Sequence, residues 1–100
     1  MADADIGVVG LGTMGAMLAL NIADNGFRVG VYNRTSSRIK SFMDEAGELS
    51  DRVHPGETLE DFVQTLKSPR NIILMVPAGP IVDAQIAALR PLLDDDDMII

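Results

Sequence analysis

Three glycines at fixed spacing are the residues of this chain best suited to chemistry. Gly10-x-Gly12-x-x-Gly15 follows the apolar run Ile6-Gly7-Val8-Val9 and leads into Ala16-Met17-Leu18-Ala19-Leu20-Asn21-Ile22-Ala23. That layout of strand, glycine turn and helix is suited to holding a pyrophosphate, and each glycine has its own task. Gly10 turns the chain sharply off the strand, at backbone angles costly for a residue with a side chain. Gly12 leaves room for phosphates to lie against the backbone. Gly15 lets the new helix pack closely on the strand. The helix then offers unpaired N–H groups and the positive end of its dipole to the phosphate charge.

The second group with chemical potential is Asn33-Arg34-Thr35, at the end of the next strand-like run. In a site for NAD, an acid about 20 residues past the turn accepts hydrogen bonds from the ribose 2′-hydroxyl. No acid stands here. Arg34 is suited to pairing with a 2′-phosphate through two parallel bonds and to lying against the adenine ring, with Asn33 and Thr35 as neutral donors. The expected cofactor is therefore NADP, with NAD as the alternative. Arg38, one helical turn later, fits either an added positive charge or a surface role.

Other reactive types are sparse. His54 is the only histidine and has no second ligand or nucleophile beside it, so it reads as an exposed loop residue and not as a base. The run Asp94 to Asp97 reads as a solvated turn, because consecutive carboxylates cannot all face one ion. No metal site and no catalytic residue is expected. Met14 has two readings, a core contact or a reach over the turn towards a bound nicotinamide, and the core contact is the expected one.

These residues have to be positioned by one small domain. The chain has 100 residues, 47% of them hydrophobic and 23% charged, which is ordinary for a soluble globular unit. Its net charge of -7 argues against nucleic-acid binding, which needs a basic surface. No apolar run reaches the roughly 18 residues of a membrane span, and the acidic start Met1-Ala2-Asp3-Ala4-Asp5 does not resemble a targeting peptide. The absence of cysteine fits a reducing compartment, so a cytoplasmic location is expected.

Hydrophobic periodicity predicts the elements. Ile6 to Val9 is a buried parallel strand. A helix runs from near Thr13 to a cap at Asn25-Gly26, with Met14, Leu18 and Ile22 as its inward stripe. Phe27 to Tyr32 is the second strand. A second helix, capped by Ser36 or Ser37, extends through Met43, with Gly47 after its end. Val53 falls in a short edge strand. Thr58 caps a third helix whose apolar face is Leu59, Phe62, Val63 and Leu66, and which Ser68-Pro69 ends. Asn71 to Val76 is a strand, and Pro80 opens a helix that Pro91 strains or ends. In that helix Ile81, Ala84, Ala88, Gln85 and Leu89 show mixed spacing. Met98-Ile99-Ile100 starts a fifth strand, inside which these residues stop. The order implies an α/β, doubly wound parallel sheet with strand order 3-2-1-4-5. Its crevice gathers Gly10, Asn33 and Val76-Pro77-Ala78 at the carboxyl ends of the strands.

The turn from Gly10 to Gly15, the Asn33-Arg34-Thr35 triplet and Ile72-Ile73-Leu74-Met75-Val76-Pro77-Ala78-Gly79 together resemble the N-terminal part of the 6-phosphogluconate dehydrogenase family. The likeness continues through Leu20-Asn21-Ile22, Gly26-Phe27, Ser68-Pro69-Arg70 and Met98-Ile99-Ile100, so it covers essentially the whole chain. The resemblance implies a Rossmann domain, with NADP contacts from Gly10, Leu11, Gly12, Thr13, Met14 and Gly15, from Asn33, Arg34 and Thr35, and from Val76, Pro77 and Ala78. It implies oxidative decarboxylation of 6-phosphogluconate to ribulose 5-phosphate in the pentose phosphate pathway. It also implies a homodimer formed by a large helical domain.

Two positions depart from the family pattern. Many members have alanine where Gly12 stands and lysine where Pro77 stands. The family's sugar-binding residues, catalytic lysine and catalytic glutamate have no counterpart in residues 1–100, which are expected to be an incomplete coenzyme domain. Two alternatives are a β-hydroxyacid dehydrogenase, which shares the GLGxMG turn, and a non-catalytic dinucleotide-binding module.

Overall fold

The structure is a computed structural model that describes residues 4–67, 70–75, 80–94 and 97–99. Five parallel strands form one sheet: β1 (Ile6–Val9), β2 (Val29–Tyr32), β3 (Val53–Pro55), β4 (Asn71–Leu74) and β5 (Met98–Ile99). The helices between them are α1 (Thr13–Asp24), α2 (Ser36–Ala46), α3 (Leu59–Gln64) and α4 (Pro80–Leu89). Strand order is β3-β2-β1-β4-β5, the doubly wound arrangement predicted from the element order. Among the described residues no helix is long and apolar enough to cross a membrane.

Side chains alternate between the two faces of the sheet, and each face buries a separate cluster. Val8, Val29 and Val31 face α1 and α2, where they meet Leu11, Ala16, Ala19, Ile39 and Phe42. Val9 and Ile72 face the other way and pack with Phe62, Val63, Leu66 and Leu89. On that second face Gly7 and Gly30 are register partners on adjacent strands. A Cβ on Gly7 would lie 2.6 Å from the Phe62 ring, and one on Gly30 2.6 Å from Thr65 Oγ1. Two bare positions side by side therefore let the α3 region sit directly on the sheet.

The inward face of α1 differs from the predicted stripe. Gly15, Ala16, Ala19 and Ala23 are buried, whereas Leu18 and Ile22 are only partly covered and Met14 is 71% exposed. Small residues line the contact because the helix lies close against the strands, leaving no space for the longer side chains. Met14 is accordingly not a core residue. It borders a groove of about 320 Å³ with Met17, Leu18, Asn21 and Met75.

Other boundaries shift by a few residues. β2 begins at Val29, and Phe27 is 55% exposed before it. Thr35, not Ser36 or Ser37, holds the N-cap position of α2, and the helix continues to Ala46 before Gly47 turns at φ 52°. Thr58 caps α3 as predicted, its Oγ1 accepting from Asp61 N at 3.1 Å. Leu59 is only partly buried there, while Phe62, Val63 and Leu66 are buried. The α3 segment ends at Gln64, and Ser68-Pro69 lies outside the described residues. In α4, Gln85 and Leu89 turn inward and Ala84 and Ala88 outward; the Ile81 side chain lies outside what is described. Pro91 sits in a 3-10 turn, Arg90–Leu92, that ends the helix as predicted.

His54 is a strand residue rather than a loop residue. It is half-buried on β3, opposite Gly30, and its Nε2 lies 3.5 Å from the Arg28 guanidinium. The acidic run is not simply solvated either. Asp97 is almost wholly covered, and its carboxylate ties the starts of β4 and β5 together through Arg70. Asp95 and Asp96 lie outside the described residues.

Candidate cofactor-binding site

The glycine turn connects β1 to α1, and the local bonding shows why this sequence turns there. Gly10 has φ 100°, a conformation that strongly favours glycine. Its N–H donates to Tyr32 O at 2.8 Å, which continues the β1–β2 ladder one step past the strands. A Cβ on Gly15 would overlap the Gly10 carbonyl oxygen, so the third glycine is required by the fold itself. Gly12 is different. Its φ of -66° suits most residues, and a Cβ placed there meets nothing within 4 Å. The turn needs glycine at 10 and 15 to exist and keeps position 12 open to the outside.

The N-terminus of α1 opens into the same space. Gly12 holds the N-cap position, no side chain caps the first turn, and no acid lies in that turn. The amides of Thr13, Met14 and Gly15 belong to the group that has no intrahelical acceptor. Ala16 N, donating to Gly12 O at 2.8 Å, makes the first complete helical bond. A ring of N–H donors at the positive end of a 12-residue helix is therefore available to an anion.

Asn33 acts on this turn directly. Its Oδ1 accepts from Leu11 N at 3.0 Å, and its Nδ2 donates to Thr35 O at 3.3 Å. Its carboxamide thus braces the protein's own backbone, a role that the sequence does not suggest. Arg34 and Thr35 are exposed just beyond it. Arg34 makes no hydrogen bond or ion pair with any described residue, and it borders a cleft of about 340 Å³ lined by Leu59, Pro80, Ala84, Gln85 and Ala88. The mostly apolar wall with one guanidinium at its edge fits a flat ring carrying a nearby negative charge. Gln85 is buried there, and its Oε1 has no hydrogen-bond partner.

Sequence reasoning missed Arg38 as a structural member of the site. Its Nε donates to Leu11 O at 2.5 Å, and its guanidinium pairs with Glu45 at 2.6 Å. The signal that could have found it is its spacing from Glu45, two helical turns along α2. Val76, Pro77 and Ala78 lie outside the described residues. Among the described residues, no cluster of three or more His, Cys, Asp or Glu is arranged to hold a metal ion.

The fold and the turn define a dinucleotide-binding domain of the kind found in nicotinamide-dependent dehydrogenases. Residues 5–100 match the family model described as the NAD binding domain of 6-phosphogluconate dehydrogenase, and the chain belongs to that family. It is 48% identical over 100 residues to the NADP(+)-dependent, decarboxylating 6-phosphogluconate dehydrogenase of Bacillus subtilis, covering all of this chain and 21% of that protein. To the decarboxylating 6-phosphogluconate dehydrogenase of Chlamydia muridarum it is 45% identical, with the same coverage of each. Among solved structures, the Plasmodium falciparum enzyme, studied with its cofactor NADP+ and its substrate 6-phosphogluconate, aligns with a TM-score of 0.87 at 42% identity. That alignment covers 96% of this chain and 21% of the other. A diketoreductase at 17% identity and a TM-score of 0.76 shares the fold. The chain spans about a fifth of the length of these curated relatives.

Proposed function

We propose that these residues hold NADP for a decarboxylating 6-phosphogluconate dehydrogenase. The observation that carries the proposal is the open, uncapped start of α1 beside Gly12, where a Cβ would meet nothing within 4 Å. The family supports the same reading. The turn amides from Gly12 to Gly15 would hold the pyrophosphate. Arg34 would pair with the 2′-phosphate and lie along the adenine in the adjoining cleft. Asn33 would act one step back, by fixing the turn. Met14 and Met75, on the groove at the other side of α1, would form an apolar wall for the nicotinamide end.

When bound, the cofactor supplies a hydride acceptor, which no side chain can provide. The part played by this chain is to bind it, orient it and keep its charged groups matched. The sugar substrate 6-phosphogluconate, the groups that take and return protons, and the homodimer contacts would belong to a helical domain outside these hundred residues. We place the protein in the cytoplasm, in keeping with its lack of cysteine.

The test is the thermal midpoint and the affinity of the protein with NADP and with NAD. NADP should raise the midpoint more than NAD at equal concentration. Arg34→Asp should weaken NADP binding by about 30-fold or more while changing NAD by less than about 3-fold, since it exchanges an attraction for a repulsion only at the 2′-phosphate. Equal weakening of both cofactors would remove the 2′-phosphate assignment.

A further inference from the structure

We propose that Arg38 is a positioning residue for the phosphate turn, acting through the Leu11–Gly12 peptide, and is not itself a ligand of the 2′-phosphate. The proposal rests on the reading of this turn as the dinucleotide site. Arg38 Nε donates to Leu11 O at 2.5 Å, and Nη1 donates to Glu45 Oε2 at 2.6 Å and to Ser41 Oγ at 3.0 Å. The side chain is only 28% exposed. Its charge is matched within α2, and its Nε faces the turn backbone. Arg34, four residues earlier, has neither kind of bond to the described residues and is exposed.

Leu11 is the point on which this acts. Its side chain is completely buried, its N–H is held by Asn33 Oδ1 and its carbonyl by Arg38 Nε. The peptides on both sides of Leu11 are therefore fixed by side chains from the end of β2 and from α2. A trans peptide is planar, and its C=O and N–H point in opposite directions. Holding the Leu11 carbonyl thus aims the Gly12 N–H the other way. No described residue accepts a hydrogen bond from that N–H, and a Cβ built on the same residue meets nothing within 4 Å. Arg38 in this way sets the direction of the first free donor of the turn, a donor that serves NAD and NADP alike.

The experiment compares the unsubstituted protein, Arg38→Gln and Arg38→Met by calorimetric titration with NAD, NADP and 2′-AMP. Glutamine Nε2 is as many bonds from the backbone as arginine Nε, so it keeps a donor for Leu11 O and loses the charge. Methionine keeps the length and loses both. Arg38→Met should weaken NAD and NADP by the same factor, about 10-fold or more, and leave 2′-AMP within about 2-fold, since 2′-AMP has no pyrophosphate. Arg38→Gln should bring both dinucleotides back to within about 3-fold of the unsubstituted protein. Loss of NADP and 2′-AMP in both variants with NAD unchanged would make Arg38 a phosphate ligand and overturn the proposal. Equal loss of all three ligands in both variants, or loss of the cooperative ligand-free melt in both, would overturn it in favour of a general folding role. Failure of the unsubstituted protein to bind either dinucleotide would instead sink the underlying site reading, and this proposal with it.

Discussion

The two ends of the sheet handle negative charge with the same donor types. At the amino end, where β4 and β5 begin, Asp97 accepts from Arg70 N at 2.6 Å, Asp94 N at 2.8 Å and the Arg70 guanidinium at 3.1 Å. Its side chain is 1% exposed. At the carboxyl end, the amides of the α1 turn face open space, with the exposed Arg34 just past the end of β2. One cradle is filled by the chain's own carboxylate, and among the described residues no carboxylate fills the other. The filled one stabilises the fold, by joining a strand that is only two residues long to its neighbour. The open one is left for an anion from outside. A carboxylate is covalently attached and brings no association cost, whereas a cofactor has to overcome that cost with contacts of its own.

The largest expected effect comes from closing the open cradle. Gly12→Val should lower affinity for NADP and NAD by about 100-fold or more, because its branches would occupy the place proposed for the pyrophosphate. The same change should lower the ligand-free stability by no more than about 1 kcal/mol, the cost of a poorer N-cap residue at an exposed site whose φ is ordinary. Titration and denaturant melts of one preparation would check both halves. A large loss of ligand-free stability would show that the two ends are not as different as described.

The next effect concerns the filled cradle. Asp97→Asn removes the charge that Arg70 and two amides surround, and among the described residues it leaves the Arg70 guanidinium the Val63 carbonyl at 3.1 Å and, as ion-pair partner, the exposed Asp94 at 3.4 Å. The expected cost is about 2 kcal/mol in a urea melt. Burial disfavours the Asp97 carboxylate, but the bonds from Arg70 N, Asp94 N and the Arg70 side chain outweigh it and hold the carboxyl below its ordinary value. A carboxyl lowered in the folded state contributes stability that is complete above the unfolded value and is lost as pH falls through the folded one. The unsubstituted protein should therefore lose stability more steeply than Asp97→Asn below about pH 4. Asp5, lowered by the bond from Lys67 and then by the Arg28 amide, adds a slope of the same sign to both proteins. Parallel pH profiles would rule out the assignment to Asp97.

The smallest effect would convert one cradle partly into the other. Gly12→Ser places a hydroxyl at an N-cap position with extended backbone, where it can accept from the amide of Gly15. It should raise ligand-free stability by about 0.3 kcal/mol, because glycine is only slightly worse than serine at such a position. It should also weaken dinucleotide binding, by engaging a donor the phosphates would use.

Much of this arrangement was legible in the sequence, and the parts that were not share a physical cause. Strand order, the glycine turn and the exposed Arg34 follow from period, turn residues and connection rules, which are local or nearly so. Thr58 was legible because its cap partner Asp61 is three residues away. The α1 stripe was misread because Met14, Leu18 and Ile22 follow the correct period, but the closeness of the helix to the strands selects small residues. The bracing bonds of Asn33 and Arg38 were not legible because their partner is Leu11, 22 and 27 residues back. Asp97 reads as solvated from the sequence because Arg70 lies 27 residues before it. Composition showed four acids and could not show that one of them is enclosed.

Leu11 has a further consequence through thermodynamic reciprocity. Its side chain belongs to the cluster that includes Ile39 and Phe42 of α2, while its two peptides carry the turn. Whatever α2 packing contributes to the readiness of the turn, an anion held at the turn must return to α2 in equal measure. The interior and the binding surface of this protein are therefore coupled through a residue that has no reactive group of its own.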